Sequence, residues 1–277
     1  MKKAFVVGHP IAHSRSPLIH GHWLDRYGIP GSYERIAVAP EDFAAFVRGL
    51  PDSGFAGGNV TIPHKEAAFA LCDAPSPRAR AIGAVNTLVV GADGRIVGDN
   101  TDAPGFCAHL DHSLGADRVS RAGTALVLGA GGAARAIVVG LAERGFARIR
   151  VANRTRARAE AVAALAPGIA TAIDWASIPE AMQAAGLLVN TTALGMAGQP
   201  PLDLDLAPLR AHAAVADIVY VPLETALLAA ARARGLAAVD GLGMLLHQAV
   251  PGFEAWFGLR PAVTEALRAV VVADLPR

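Results

Sequence analysis

The 277-residue chain predicts an α/β protein in two parts. Three observations carry that prediction. Short apolar runs alternate with helical patterns along the chain, as in strand–crossover–strand units. One such run, TALVL, enters a glycine-rich turn and then an amphipathic stretch that closes at Gly145. A hydrophobic content of 53% against 18% charged residues supplies enough apolar side chains for well-filled cores.

The first part offers strands near 3–8, 32–38, 58–62 and 86–90, with helices starting near Pro17, Glu41 and His64. GADG, 91–94, reads as a hairpin turn into RIVG. A helix from about Pro104 opens the second part, with strands at 124–128, 148–155, 187–192 and 214–220. The tail beyond Asp240 is helical and is expected to return to the first part. The expected domains are therefore 1–103 completed by 241–277, and a doubly wound, Rossmann-type region over 104–240.

Gly129-Ala130-Gly131-Gly132-Ala133-Ala134 follows a strand and opens a helix, the setting in which small residues admit a pyrophosphate to free backbone N–H groups. An NAD binder places an acid about 20 residues later. Here Asn153-Arg154-Thr155 stands at that point, with Arg158 close behind and no acid before Glu160. A guanidinium there pairs with a 2′-phosphate that a carboxylate would repel, so NADP is the expected cofactor. Arg156 is read as part of a solvated helix face. Asn190-Thr191-Thr192 and the stretch around Tyr220 fall at later strand ends, on the rim where a nicotinamide would lie.

A net charge of +1 gives no electrostatic footprint for nucleic acid or an anionic membrane. No stretch has transmembrane length and character. Cys72 and Cys107 have neither metal nor disulfide spacing, which fits a cytoplasmic protein. The histidines lack paired spacing with acids, so no metal is expected. The chain's five asparagines, 59, 86, 100, 153 and 190, all lie at or beside predicted strand ends. Of 25 Lys plus Arg, only Lys2, Lys3 and Lys65 are lysines. An internal lysine in a chain that otherwise uses arginine marks a place for an amine whose proton can leave.

In His13-Ser14-Arg15-Ser16-Pro17, an extended backbone would put Ser14 and Ser16 on one face and Arg15 on the other. Pro17 suits a helix start, with Ser16 as a candidate cap. Along Gly58–Lys65 the same alternation turns Asn59 and Thr61 to one side and Val60 and Ile62 into the core.

HPIAHSRSP, GGNVTIPHK, IGAVNT, GDNTD, GAGGAARA, NRT and DGLGMLLHQ, in that order, resemble the shikimate dehydrogenase family over nearly the whole chain. The resemblance implies reversible NADPH-dependent reduction of 3-dehydroshikimate to shikimate in a cleft between a substrate domain and an NADP domain. It implies that Ser14, Ser16 and Thr61, with Tyr220, hold the substrate carboxylate. Asn86, Asp102 and Gln248 would meet the ring hydroxyls and Asn59 would support that wall. Lys65 and Asp102 would be the catalytic pair, with Ile218, Gly241 and Met244 beside the nicotinamide. Gly21 and Pro77 depart from the family pattern. A quinate/shikimate dehydrogenase of broader specificity, or an NADP- or metabolite-sensing relative without catalysis, is the alternative. The expected partner is a small molecule, and a homodimer is compatible with this reading.

Overall fold

The computed structural model describes residues 1–276, which form two compact units: Met1–Thr101 with Leu246–Asp274, and Asp102–Leu245.

In the first unit, β1 (Lys2–Gly8), β2 (Gly31–Ala37), β3 (Phe55–Val60), β4 (Ala74–Pro75), β5 (Thr87–Val90) and β6 (Ile96–Asp99) form a mixed sheet in the order β2-β1-β3-β5-β6-β4. β1 is parallel to β2 and β3, while β5 is antiparallel to β3 and β6. The β5–β6 hairpin turns where GADG predicts it, with Gly91 N–H donating to the Arg95 carbonyl at 2.8 Å and Gly94 at φ +78°. The core gathers around Phe5, whose ring meets Phe46 and Phe55 edge-on at 5.3 and 5.1 Å.

The segment from Leu246 packs on this sheet. Trp256 is fully buried, and its indole N–H donates to the Leu88 carbonyl at 2.9 Å. Gly57 makes that approach feasible. A Cβ there would lie 2.1 Å from the Leu88 carbonyl oxygen and 2.6 Å from Trp256 Nε1, and its φ of +142° disfavours any other residue. Trp23 Nε1 donates to the Ala262 carbonyl at 3.0 Å, and Arg15 Nη2 to the Asp274 carbonyl at 3.1 Å.

The second unit holds β7 (Thr124–Leu128), β8 (Arg148–Ala152), β9 (Ala170–Ile173), β10 (Leu187–Asn190), β11 (Ala214–Asp217) and β12 (Ala237–Val239). All are parallel, in the order β12-β11-β10-β7-β8-β9. The order reverses between β7 and β10, the crevice where doubly wound sheets bind ligands. Both sheet faces are covered, so β7 reads as a continuous apolar run. Ala125 and Val127 enter one cluster with Ile137 and Leu141, while Leu126 and Leu128 enter the other with Leu188 and Val215.

Three local expectations need correction. Ile62 does not enter the core but is 68% exposed, because β3 ends at Val60 and period-2 alternation lapses in the turn containing the cis Ile62–Pro63 bond. The HSRSP segment is not extended: Arg15 has helical φ/ψ (−95°, 0°), and the helix Ser16–Tyr27 starts without a side-chain cap from Ser16. The strands predicted over 148–155, 187–192 and 214–220 stop at Ala152, Asn190 and Asp217, leaving Asn153-Arg154-Thr155, Thr191-Thr192 and Ile218–Tyr220 as loop at the carboxyl edge. β4, β9 and β12 are too short or too weakly patterned for the sequence to reveal.

Candidate active site

In the first unit, the candidate substrate residues come from the ends of β1, β3 and β5. Thr61 N–H donates to the Val7 carbonyl at 2.9 Å and His9 N–H to the Ile62 carbonyl at 3.1 Å, tying the turn after β3 to the end of β1. His64 ends that turn. Its Nε2 lies 2.8 Å from the Val38 carbonyl, and its ring stacks on Phe43 at 4.2 Å. Lys65 follows as the first residue of the helix Lys65–Leu71, half-buried, with its carbonyl accepting from Val85 N–H at 2.9 Å. The rare lysine is thus held by its backbone on both sides.

A polar network runs beneath this edge. Tyr33 O–H donates to Asn59 Oδ1 at 2.6 Å, while Asn59 Nδ2 donates to the Asn86 carbonyl at 3.1 Å and to Thr87 Oγ1 at 3.2 Å. Both ends of the Asn59 amide are therefore engaged inside the protein. Asn86 Oδ1 accepts from Thr101 N–H at 2.8 Å, and its Nδ2 is not used by these bonds. Ser16 is buried beside this network, and Ser14 Oγ lies 3.4 Å from its backbone N–H. Gln248 is buried on the helix Leu242–Phe257.

Tyr33 and His20 are structural partners that the sequence reading missed. His20 stacks on Tyr33 at 4.0 Å and is fully buried, its pKa lowered to about 3 by desolvation against the opposing influence of Asn59. Burial also pushes the Tyr33 hydroxyl well above its ordinary value, despite hydrogen bonding with Ser16 and Asn59. His20 is a neutral aromatic wall here. Tyr33→Phe strands the buried Asn59 oxygen and is expected to lower unfolding free energy by about 1–3 kcal/mol, as read by urea denaturation.

In the second unit, Gly129 lies at the end of β7 with φ +107°, and a Cβ there would stand 2.6 Å from Thr191 Oγ1. Gly131 and Gly132 differ. A Cβ on either would meet nothing within 4 Å, so their backbone faces open space at the start of the helix Gly132–Glu143. Ala130 lines the same recess of about 290 Å³ with Asn153, Arg154, Arg158, Thr191 and Trp175, and Ala133 lies in the helix's first turn. Asn153 Nδ2 donates to the Thr155 carbonyl at 2.9 Å, shaping the loop that presents Arg154. Arg156 belongs to the surface, as expected, pairing with Glu160 at 3.0 Å and Asp174 at 2.8 Å. This donor set suits an adenosine bearing a 2′-phosphate.

A neighbouring recess of about 340 Å³ is lined by Thr191, Thr192, Met196, Ile218 and Tyr220. Gly241 abuts its floor: a Cβ there would lie 2.1 Å from the Ile218 carbonyl oxygen. Met244 packs with Ile218 against the Val127 cluster. Asp102 is the first residue of the helix Asp102–Leu114, and thus stands at the opening of this unit.

The loops around the second recess hang on Asp217, another residue that sequence reading missed. Its Oδ1 accepts from Asn190 Nδ2 at 2.9 Å and Val219 N–H at 3.0 Å, and its Oδ2 from Thr225 Oγ1 at 2.8 Å. Asn190 Oδ1 in turn accepts from Thr192 N–H and Oγ1 at 3.0 and 2.7 Å. Desolvation raises the Asp217 pKa from 3.8, outweighing the hydrogen bonds of Val219, Thr225 and Asn190. A raised folded value means that folding disfavours the ionised carboxylate. Its cost is present at neutral pH, shrinks as pH falls through the folded value, and is gone below the unfolded one. Urea titrations across this range should therefore show wild type gaining stability relative to Asp217→Asn as pH falls. A constant difference removes Asp217 as the titrating group.

Three family models match the chain: the shikimate dehydrogenase substrate binding domain over residues 6–88, shikimate/quinate 5-dehydrogenase over 114–196, and the shikimate 5′-dehydrogenase C-terminal domain over 241–271. A shikimate dehydrogenase (NADP(+)) of Methylobacterium radiotolerans is 79% identical over 99% of this chain and 97% of its own. The shikimate 5-dehydrogenase of Thermus thermophilus, solved with NADP(H) and shikimate, has a TM-score of 0.85 at 40% identity, covering 98% of this chain and 100% of that one. The quinate dehydrogenase of Corynebacterium glutamicum, solved with NAD, has a TM-score of 0.91 at 32% identity over 98% and 99%. The chain belongs to the shikimate dehydrogenase family.

Proposed function

We propose that this protein is an NADP-dependent oxidoreductase that reversibly reduces 3-dehydroshikimate to shikimate, a step toward chorismate and the aromatic amino acids. The observation that carries the reading is the 79% identity, over essentially the full length, to a shikimate dehydrogenase (NADP(+)). Arg154 and Arg158 in the recess beside the glycine turn support NADP. Bound NADPH would supply the hydride to the carbonyl carbon.

The protein's own work is then to bind, orient and protonate. Ser14, Ser16 and Thr61, with Tyr220, take the substrate carboxylate. Asn86, Asp102 and Gln248 hold the ring hydroxyls, while Asn59, fixed by Tyr33, keeps Asn86 and Thr87 in register. Lys65 donates a proton to the oxygen that gains charge, and Asp102 orients the amine and the hydroxyl. In the oxidative direction Lys65 accepts that proton. Residues 1–103 with 241–277 serve substrate and residues 104–240 serve cofactor. A cytoplasmic setting is proposed from the spacing of Cys72 and Cys107, which is that of neither a disulfide framework nor a metal site; among the described residues no helix is long and apolar enough to cross a membrane. A homodimer is part of the proposal only as an assembly to be measured.

A spectrophotometric assay crossing shikimate and quinate with NADP and NAD tests the reading. The expected result is highest kcat/KM for shikimate with NADP. The likeness to an NAD-bound quinate dehydrogenase favours quinate oxidation as the second reading, and activity confined to quinate and NAD would establish it. No activity with any pair points to a non-catalytic sensor.

A further inference from the structure

We infer that Trp175 is the adenine platform of the cofactor recess, an inference that rests on the NADP reading above. β8 and β9 are parallel neighbours whose last residues, Ala152 and Ile173, are register partners. Arg154 and Trp175 each lie two residues beyond those ends, at the same carboxyl edge, and both line the recess beside the glycine turn. Apart from Leu194, the remaining lining is small or polar: Gly129, Ala130, Gly131, Asn153, Arg158 and the threonines of the loop after β10 among them. The indole is the one aromatic surface among the lining residues, and a purine is the part of a dinucleotide that needs one.

Two features hold the indole in place. Asp174, immediately before it, pairs with Arg156 Nη1 at 2.8 Å, fastening this corner to the start of the helix Arg156–Ala163. Part of the indole also packs against the cluster containing Leu126 and Leu188, leaving Trp175 half-buried. The chain's other tryptophans, Trp23 and Trp256, are fully buried in the other unit. A side chain that packs by one part and lines a ligand recess by another is suited to stacking on a base.

Trp175→Leu keeps apolar volume against the cluster but removes the ring, whereas Trp175→Phe keeps a ring. Calorimetric titration with adenosine 2′,5′-bisphosphate and with ADP, which lacks the 2′-phosphate, is expected to show both weakened about tenfold in the leucine variant. The phenylalanine variant should stay near wild type. NADPH KM should rise by the same factor in Trp175→Leu with kcat unchanged, and turnover supported by reduced nicotinamide mononucleotide, which has no adenine, should not change. Unaltered nucleotide affinity in Trp175→Leu overturns the assignment, and so does equal weakening by leucine and phenylalanine. Tighter wild-type binding of ADP than of the bisphosphate overturns the NADP reading alone, because the effect of the ring is scored on either nucleotide.

Discussion

Lys65→Ala is expected to lower turnover by roughly 10²–10⁴-fold, the usual contribution of a positioned general acid–base, while NADP affinity stays near wild type. The separation follows from the fold. Lys65 belongs to the unit of the mixed sheet, whereas the glycine turn, Arg154 and Arg158 all belong to the other. The substitution also leaves local structure standing. His64 keeps its Val38 and Phe43 contacts, the Lys65 carbonyl still accepts from Val85, and alanine is a good helix former in the first turn. Lys65→Arg completes the experiment. It preserves positive charge but replaces an amine with a group that does not give up its proton near neutral pH. If proton transfer is the role, arginine rescues little. If the role is only attraction of a developing negative charge, arginine recovers most of the rate. Steady-state assays at saturating substrate, paired with calorimetric NADP titration, distinguish these outcomes. Near-wild-type turnover in Lys65→Ala would remove the residue from the mechanism.

That lysine was visible in the sequence because its neighbours made it anomalous, and the same holds for the asparagines. The structure puts Asn59 and Asn190 at strand ends, Asn86 just before β5, and Asn100 and Asn153 just after β6 and β8. What the sequence could not expose were partners defined by distance in three dimensions. Tyr33 lies 26 residues from Asn59 and becomes its hydrogen-bond donor only because β1 pairs with both β2 and β3. Asp217 lies 27 residues from Asn190, and parallel pairing of β10 with β11 makes them register partners. Trp175 looks like an isolated apolar residue until β9, a four-residue strand of modest pattern, is set beside β8. Ile62 failed for a local reason: strand periodicity was carried past the last strand residue into a turn. Patterns within one element were readable, and the transfers of geometry between elements were not.

Arg154→Ala is expected to reduce kcat/KM for NADPH by about 10- to 100-fold, the range for losing charge-assisted hydrogen bonds to a phosphate, with little change for NADH. The prediction discriminates among three nearby arginines. Arg156 is held by Glu160 and Asp174 at 3.0 and 2.8 Å, and it is absent from the lining of the recess. Its guanidinium is already turned to carboxylates on the helix and on the loop after β9. Arg156→Ala should therefore leave the ratio of NADPH to NADH nearly unchanged. Arg158 does line the recess, in the first turn of the helix that follows the Arg154 loop, so Arg158→Ala should lower the ratio in the same direction. The double variant Arg154→Ala/Arg158→Ala then tests whether the two share one phosphate. Independent contacts lose affinity additively, whereas groups bound to the same charge couple and depart from additivity. Raising ionic strength weakens the wild-type preference, since both guanidinium groups are solvent-exposed and screened. A NADPH-to-NADH ratio that survives loss of both arginines would place the 2′-phosphate contact elsewhere in the recess, leaving the glycine turn and its open backbone as the shared site of both cofactors.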